Sequence, residues 1–405
     1  MKKLTECRIC KSKRIKDFLD LGKQPLANSL LDSFDQKEKF YPLSLSFCLR
    51  CSLVQLNHTA DPKELFTNYV WVTGTSDTAK KHAEYFYKNI LSKVKDLKNG
   101  YVLEAASNDG TFLVPFKNKG IQVLGVDPAR NIAEDAEKAG IPTRAEFFGT
   151  KEARAIVKKY GKAKVVIARN VMPHVANLHD FTKGLSIAVA DDGLLALEVH
   201  YARKIFEELH YDSIYHEHLC YFTVKSFERL LNKYGIFVED IKTSPISGGS
   251  LIFYGRKKQV KESAVIKKYR KDEEGIKLNE YISWINFADK VKLHKNKLLK
   301  LLETTKGKIV GYGASARSST LLNYCGIGPD KIEVIADQNP LKQGKYTAGT
   351  RILIQDASKV MRKNPKAVLI LAWNFTDEII NFLKQKFEYK GKYIIPLPND
   401  PKEIS

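Results

Sequence analysis

The stretch "VLEAASNDGTFL", residues 102–113, decides the fold of the central part of the chain. An apolar run ends at Glu104, small residues lead to Gly110, and a helical pattern follows. Small residues let a backbone approach a ligand closely, and the first turn of a helix offers free N–H groups. The next apolar run, "VLGVDPA" at 123–129, closes at Asp127, whose carboxylate can accept hydrogen bonds from ribose hydroxyls. These two units predict a ligand site where strands turn into helices.

The same alternation continues through residues 69–258. The runs "GYVLEAA", "IQVLGVD", "AKVVIARN" and "GLLALEVH" are typical of buried parallel strands, and helix-length amphipathic segments separate them. A doubly wound α/β domain is therefore expected, with ligands beyond the carboxyl ends of its strands. The fourth strand ends in "ARNVMPH", so Asn170 and His174 should lie at that edge of the sheet.

The loop chemistry favours one kind of cofactor. Two acidic strand ends and a loop poorer in glycine than a pyrophosphate binder suit a ligand with a ribose but no diphosphate, and S-adenosylmethionine fits this description. Two ordinary βα turns are the alternative. The residues expected to bind the cofactor are Glu104, Ala106, Ser107, Asn108, Gly110, Asp127, Pro128 and Asn170.

Residues 1–68 contain two C-x2-C motifs, "CRIC" and "FCLRC". Their cysteines are Cys7, Cys10, Cys48 and Cys51. Paired motifs of this spacing present four thiolates tetrahedrally to zinc, and four cysteine ligands leave no open position, so a structural Zn²⁺ is expected. Free thiols or a redox pair are the alternative. The intervening "DLGKQPLANSLLD" should form turns and extended structure.

Residues 259–405 begin with a charged stretch whose apolar residues have helical spacing, which predicts a connecting helix or hairpin. The predicted buried face is Leu278, Tyr281, Ile282, Ile285, Ala288 and Val291. A second, smaller Rossmann-like α/β domain should follow. Its "VGYGASA" places Gly311 and Gly313 after a strand, with Asp337 ending the next one, so NAD binding is an alternative for this segment if Ala316 supplies the third small position.

Composition limits the functional classes. The 405 residues carry a formal charge of +21, but the excess is scattered lysine and no nucleic-acid-reading signature accompanies it. The apolar runs are too short to span a bilayer, and the amino terminus lacks the apolar core of a secretory signal. We therefore expect a cytoplasmic protein that binds neither nucleic acid nor a membrane. We also expect it to be a monomer.

The stretch "IYHEHLCYF", residues 214–222, crowds proton carriers together. Methylation at a carbon next to a ketone needs a base near the C–H bond and donors around the carbonyl oxygen. A histidine can be the base, a second histidine or a tyrosine the donor, and Glu217 an orienting carboxylate. In an extended segment His216 would point away from Glu217, and so would His218, so a bend is needed if Glu217 and His218 serve one site.

Several of these motifs together resemble the sugar C-methyltransferases, which act on nucleotide-linked 4-keto-6-deoxyhexoses in making branched-chain sugars. They are the two C-x2-C motifs, "EAASNDG", "NVMPH", "YHEHLCYF", "SGGSL" and "GYGASARSSTLLNYCGI", in the family's order along nearly the whole chain. The resemblance implies a zinc-binding domain, a central S-adenosylmethionine domain, and a carboxyl-terminal domain that helps to hold a dTDP- or GDP-linked sugar.

The resemblance also implies site residues. The catalytic set is Tyr69, His174, Tyr215, Glu217 and His218. Within this set, the need for a base near the C–H bond makes His218 the expected base. The substrate-binding set is Gly248, Gly249, Ser250, Tyr312, Gly313, Ser315, Arg317 and Asn323. Gly248 and Gly249 stand directly before a strand, so an ordinary hairpin turn is the favoured alternative for them. The chain departs from the family at Trp71, where a second tyrosine is common, and at "ARSST", where a glycine and an asparagine are usual.

The leading interpretation is therefore an S-adenosylmethionine-dependent C-methyltransferase that methylates C3 of such a sugar through an enolate. An O- or N-methyltransferase would need one base and no enolate donors, which the density of candidate groups disfavours. A zinc-containing nucleic-acid-binding protein, favoured by the charge, is the other alternative.

Overall fold

The computed structural model describes residues 1–61, 65, 73–75, 77–244, 249–259 and 261–405. Tyr69, Trp71 and Gly248, which the sequence singled out, lie outside the described residues. Within the described part of the chain, no helix combines the length and the apolar character needed to cross a bilayer.

The strands and helices are given below in chain order. The strands are β1 Lys2–Lys3, β2 Ile15–Gln24, β3 Tyr41–Cys48, β4 Val54–Leu56, β5 His58–Thr59, β6 Tyr101–Ala105, β7 Gln122–Val126, β8 Thr143–Arg144, β9 Ala163–Arg169, β10 Val189–His200, β11 Cys220–Tyr221, β12 Phe237–Ser244, β13 Ser250–Arg256, β14 Ile309–Tyr312, β15 Ile335–Asp337, β16 Ile354–Asp356, β17 Ala367–Ile370, β18 Lys392–Ile395 and β19 Lys402–Ile404. The helices are α1 Asp77–Leu91, α2 Val114–Lys117, α3 Arg130–Lys138, α4 Thr150–Tyr160, α5 Leu178–Ala188, α6 Ala202–Glu207, α7 Val224–Asn232, α8 Ala264–Gly275, α9 Tyr281–Thr304, α10 Ala316–Cys325, α11 Ala357–Met361 and α12 Thr376–Phe387.

The central sheet has the order β12-β13-β10-β9-β6-β7-β8. Its strands from β6 to β10 are parallel, while β13 runs antiparallel to β10 and β12 antiparallel to β13. The strand order reverses between β6 and β9, so the crevice for a ligand opens there. The predicted doubly wound sheet is confirmed.

The carboxyl-terminal sheet has the order β16-β15-β14-β17-β18-β19. All neighbours are parallel except β19, which runs antiparallel to β18. Counted from β14, this is the 3-2-1-4-5-6 order of the Rossmann fold. The predicted second α/β unit is confirmed, and its own crevice lies between β14 and β17.

The amino-terminal sheet is antiparallel and has the order β11-β4-β3-β2. Its edge strand β11 comes from the segment "HLCY", far along the chain, and pairs Cys220 with Gln55 and Tyr221 with Val54. The Leu56 amide also donates to the Leu219 carbonyl at 3.0 Å. The candidate catalytic segment is thus hydrogen-bonded directly to the zinc-binding region.

The connecting helix is α9, of 24 residues. Its buried face includes Trp284, Phe287, Ala288 and Val291. The prediction that Ile282 lies on this face is wrong, because the structure leaves that side chain 56% exposed. Trp284 occupies the position instead, since the larger ring fills the space against Phe18 and Phe206.

Candidate active site

A cleft of about 1290 Å³ lies where the three sheets meet. One wall consists of the strand ends of the central sheet, and the opposite wall consists of loops that follow β14, β15 and β17. Residues Ala27 to Leu30 of the amino-terminal region and the turn carrying Tyr215, Glu217 and His218 also line it. Every region of the chain therefore contributes to one cavity.

The loop after β6 has an unusual backbone. Asn170, which follows β9, lines the cleft with a φ angle of 50°. In the loop after β6, Ala106 and Asn108 line the cleft with φ angles of 58° and 51°, a conformation that residues with a Cβ rarely adopt. The Asp127 carboxylate holds this shape by accepting hydrogen bonds from the amides of Asn108 (2.8 Å) and Ala129 (3.0 Å). Strained backbone that is held in this way is typical of ligand-binding edges.

Other predicted cofactor residues lie behind the cleft surface. Glu104 is completely buried, and burial raises its pKa to about 7, while the nearby Arg169 cation opposes that shift. Arg169 donates to Glu104 Oε1 at 2.7 Å and lines the cleft itself. Gly110 has φ +76°, and a Cβ there would meet Ile141 at 2.9 Å. Ser107 packs so close to Gly125 that a Cβ on this glycine would lie 2.5 Å from the Ser107 hydroxyl.

Pro128 lines the cleft next to Asp127, as predicted. Two further lining residues, Arg169 and His82, carry no motif that could have identified them. His82 Nε2 lies 3.2 Å from both oxygens of the buried Glu198. Buried carboxylates thus hold the side chains of both Arg169 and His82 in place, on the wall of the cleft that the central sheet forms.

The segment 215–218 contains the bend that the sequence could not reveal. The His218 amide donates to the Tyr215 carbonyl at 2.9 Å, which closes a tight turn, so Tyr215, Glu217 and His218 all line the cleft. His216 points elsewhere and packs against Tyr41 at a ring distance of 6.0 Å. One turn therefore resolves the conflict between strand alternation and a shared site.

Hydrogen bonds fix the tautomer of His218. Nδ1 lies 2.7 Å from the Ser213 carbonyl, which can only accept, so Nδ1 carries the proton. Nε2 is then the acceptor, and the Tyr215 hydroxyl donates to it at 2.8 Å. A neutral imidazole with its lone pair next to a phenol can receive a proton at Nε2.

Histidines surround His218. The ring of His174 lies 4.8 Å from it and the ring of His200 lies 6.4 Å from it, and both line the cleft. Burial lowers the pKa of His174 to about 4. Burial also lowers the pKa of His218 and of His200 well below the usual value, helped by neighbouring histidines and by the Arg317 cation. All three rings are therefore neutral near pH 7.

Glu217 has a different partner from the one expected. Its Oε1 accepts a hydrogen bond of 2.6 Å from the Asn28 side-chain amide of the amino-terminal region. The side chain is 4% exposed, and burial raises its pKa to about 7. His218 is oriented by a backbone carbonyl instead, so Glu217 is available to the contents of the cleft.

The opposite wall is basic. Ser315 caps α10 by accepting from the Ser318 amide, and Arg317 stacks over Trp373 at 5.2 Å. Lys342 and Lys345 join them in lining the cleft. A helix start with three nearby cations is suited to an anionic group.

Of the remaining predicted substrate residues, Tyr312, Gly313 and Asn323 support this wall from behind, while Gly249 and Ser250 lie at the central sheet. The Tyr312 hydroxyl accepts from Gln338 at 2.8 Å, and the Gly313 amide donates to the Ala336 carbonyl at 2.8 Å. Asn323 donates to the Ala348 carbonyl at 3.1 Å. Ser250 lies opposite His200 in the β10–β13 pair, and the Gly249 carbonyl accepts from the Tyr201 amide.

The NAD alternative for this wall meets an obstacle at Asp337. Its carboxylate accepts from the amides of Ala314 and Asn339, both at 2.8 Å, and Lys342 lies 3.6 Å away. The two amide bonds repeat those of Asp127, so the feature that disfavours a ribose at Asp337 is the nearby Lys342 cation, which suits an anionic ligand.

The four predicted cysteines form one cluster, with all Sγ atoms within 4.8 Å of one another. Cys7 and Cys51 lie 3.4 Å apart and Cys10 and Cys48 lie 3.5 Å apart. Tetrahedral zinc with four thiolates at about 2.3 Å requires sulfur separations of roughly 3.8 Å. The cluster therefore fits a structural Zn²⁺ with no position for a substrate.

Family models match the chain in three consecutive parts. Residues 7–66 match a "Putative zinc binding domain", residues 79–240 a methyltransferase domain, and residues 245–398 a C-methyltransferase C-terminal domain. The C-methyltransferase NovU of Streptomyces niveus is 31% identical over 409 aligned residues, covering 99% of this chain and 97% of NovU. The chain belongs to the C-methyltransferase family. It is an S-adenosylmethionine-dependent C-methyltransferase with a zinc-binding amino-terminal domain, and the resemblance drawn from its motifs is confirmed.

Two solved structures similar to this C-methyltransferase each cover less than half of its chain. Magnesium protoporphyrin IX methyltransferase from Synechocystis, solved with bound S-adenosylmethionine, is 14% identical, with a TM-score of 0.33 over 47% of this chain and 86% of its own. An S-adenosylmethionine-dependent methyltransferase from Archaeoglobus fulgidus is 12% identical, with a TM-score of 0.36 over 44% of this chain and 94% of its own.

Proposed function

We propose that this C-methyltransferase methylates C3 of a nucleotide-linked 4-keto-6-deoxyhexose, with a dTDP or GDP carrier, in branched-chain deoxysugar biosynthesis. One observation carries the proposal. The Tyr215–His218 pair and Glu217 lie in a single cleft between the donor-side strand ends and the basic wall of the carboxyl-terminal sheet. A substrate that uses both features needs an acidic C–H bond and an anionic group that the basic wall can bind.

The basic wall supports a diphosphate. Arg317, Lys342 and Lys345 line the cleft together with the first turn of α10. A guanidinium binds phosphate oxygens through paired N–H groups, and lysines add point charges. A nucleoside diphosphate at this wall would direct its sugar toward the turn at 215–218.

The turn supports proton removal. His218 Nε2 accepts the C3 proton, and the electron pair of the broken C–H bond forms the C3–C4 double bond of an enolate. The Tyr215 hydroxyl, or His174, donates a hydrogen bond to the C4 oxygen, which carries the negative charge. Tyr215 already points at Nε2, so a rotation of its hydroxyl toward the C4 oxygen exposes the base.

The donor side positions the second reactant. Bound S-adenosylmethionine supplies an electrophilic methyl group on a sulfonium. Asp127, Asn108 and Asn170 present a carboxylate and two polar side chains at the strand ends, where a ribose and an amino-acid group would lie. C3 then forms its bond to the methyl carbon as the carbon–sulfur bond breaks, which requires alignment and no metal. Tyr69 is retained as a proposed catalytic residue from the family pattern.

Hydrogen exchange separates proton removal from methyl transfer. In deuterated water with S-adenosylhomocysteine bound, the wild-type enzyme should exchange the C3 hydrogen of a nucleotide-linked 4-keto-6-deoxyhexose, as followed by NMR. His218→Ala should lose this exchange, and Tyr215→Phe should slow it. Exchange at wild-type rate in His218→Ala would remove His218 as the base.

A further inference from the structure

We propose that Asn28, in the segment between the two C-x2-C motifs, is a positioning residue for the reaction: its side-chain amide holds the Glu217 carboxylate in place in the cleft. The inference rests on the proposed function in one respect, since it gives Glu217 a part in the reaction. The contact joins residues 189 positions apart, at 2.6 Å. Through it, the zinc-binding region reaches the reacting groups.

The position of Asn28 is fixed by the carboxyl-terminal domain. Leu31 exchanges two backbone hydrogen bonds with Tyr346, of 2.9 and 2.8 Å. Glu38 accepts from the Gly349 amide at 2.8 Å and pairs with Arg351. The segment 25–38 is therefore held at its far end before any substrate arrives, and Asn28 needs little further ordering to meet Glu217.

The charge state of Glu217 gives this contact a chemical consequence. Burial raises the pKa of Glu217 to about 7, and the Asn28 hydrogen bond is what opposes that rise. An amide N–H donates to a carboxylate better than to a carboxylic acid, so Asn28 favours the charged form. Near neutral pH the contact decides how much of the enzyme carries a Glu217 carboxylate.

Other ionisable groups around the cleft must be separated from Glu217. The other ionisable groups that line the cleft near it are His174 after β9, His200 at the end of β10, Tyr215 and His218 in the same turn, Arg317 on α10, and Lys342 and Lys345 after β15. The pKa of His174 falls to about 4 and those of His200 and His218 fall well below the usual value, because all three are buried. Burial also raises the pKa of Glu104 to about 7, behind the strand ends of the central sheet, so the titration of Glu217 is identified by its loss in Glu217→Gln.

The first test measures the carboxyl group itself and needs no substrate. In protein labelled with ¹³C at the glutamate side-chain carboxyl, the Glu217 resonance is assigned by its absence in Glu217→Gln and followed with pH. Asn28→Ala should raise its midpoint by roughly one to two pH units, the usual worth of a hydrogen bond to a charged group. Asn28→Asp should raise it as well, because two adjacent carboxyls retain a proton between them.

The second test is kinetic. Asn28→Ala should lower kcat/KM at pH 7 by roughly 5- to 50-fold, the fall in carboxylate fraction for that shift, and most of the loss should return by about pH 9.5. In a double-mutant cycle, Asn28→Ala should have little further effect in the Glu217→Gln background. A merely structural defect would neither recover at high pH nor disappear in that background.

Asn57→Ala is the matched control. Asn57 lies in the same zinc-binding region, is buried, and donates from its side-chain amide to the Asp17 carboxylate at 3.0 Å, away from the cleft. It should leave the Glu217 titration and the pH profile unchanged. Zinc content and the thermal midpoint, measured for every variant, identify any that fail to fold.

The outcomes are distinct. An unchanged Glu217 midpoint in folded Asn28→Ala and Asn28→Asp overturns the inference. A shifted midpoint with full turnover in Glu217→Gln removes Glu217 from the reaction, and with it the functional half of the inference. A wild-type enzyme that methylates no nucleotide-linked keto sugar contradicts the proposed function, while the NMR titration still decides whether Asn28 controls Glu217.

Discussion

The two parallel sheets use the same device at their switch points but surround it with opposite charges. In the central sheet Asp127 accepts from the amides of Asn108 and Ala129, and in the carboxyl-terminal sheet Asp337 accepts from those of Ala314 and Asn339. Burial raises the pKa of Asp127, and the nearby Asp109 carboxylate adds to the rise. Asp337 has Lys342 at 3.6 Å.

This difference is consistent with the proposal that each wall binds a different ligand. An acidic edge attracts a sulfonium and a ribose, and a basic edge attracts a diphosphate. A strand-end aspartate therefore does not identify a ribose site by itself, because its first task in both sheets is to hold its own loop. The charge around the loop distinguishes the central-sheet wall, proposed for the methyl donor and called the donor wall, from the basic wall proposed for the sugar nucleotide.

The largest effect should come from the region that both walls share. The double variant Cys48→Ser, Cys51→Ser removes half of the zinc ligands, and structural zinc contributes about 10 kcal/mol or more to small sites of this kind. We expect the amino-terminal sheet to unfold, with loss of binding at both walls, because β11 and segment 25–38 depend on it. Elemental analysis and thermal unfolding test this, and a fully stable variant without zinc would contradict it.

A smaller but more selective effect is expected at the turn between the walls. His218→Ala should lower turnover by about 10² to 10⁴, the usual contribution of a positioned base. Both ligands should still bind, since the imidazole belongs to neither wall. Single-turnover kinetics measure the chemical step, and calorimetry measures the binding of each ligand. Turnover near the wild-type rate would refute the assignment of His218 as the base.

Asp127→Ala tests the donor wall alone. We expect the affinity for S-adenosylmethionine to fall by about 1 to 3 kcal/mol, the worth of lost hydrogen bonds to a charged group, while the affinity for the sugar nucleotide is retained. Asp337→Ala is the matched variant in the other sheet and should show the reverse pattern by calorimetry. Equal effects of both variants on both ligands would contradict the claim that the two sheets bind different ligands.

The smallest effect is expected at the rim of the basic wall. Lys345 already pairs with the exposed Asp32, so its charge is partly screened. Lys345→Met should raise the KM for the sugar nucleotide by a few-fold, worth about 1 kcal/mol or less, and reduce the salt dependence of binding. Lys331→Met, at an exposed pair with Asp330 away from the cleft, is the control and should change neither quantity.

Much of the fold could be predicted because it depends on local patterns. Buried parallel strands read as continuous apolar runs, and paired C-x2-C motifs determine their own geometry. The two-residue strand β11 could not be predicted, because two residues carry no periodicity and their partner lies at Val54 and Gln55. Ile282 was misplaced for a related reason: helical spacing fits more than one face of α9, and packing against Phe18 and Phe206 selects Trp284.

The site shows the same division between local and distant information. The candidate residues at strand ends and in the 215–218 turn came from motifs, although the turn depends on a hydrogen bond that no motif reveals. Asn28 and Arg169 escaped notice because each acts through a carboxylate brought near by tertiary folding. Ordinary asparagines and arginines in a sequence give no signal of such a partner.

The position of the transferred methyl group tests the central claim most directly. The enzyme is incubated with S-adenosylmethionine carrying a ¹³C-methyl group and with dTDP- and GDP-linked 4-keto-6-deoxyhexoses, and the products are examined by NMR and mass spectrometry. We predict one new ¹³C-methyl group bonded to C3, a carbon that has lost its hydrogen. A methyl group on oxygen, or no methylation of any keto sugar by active protein, would contradict the account.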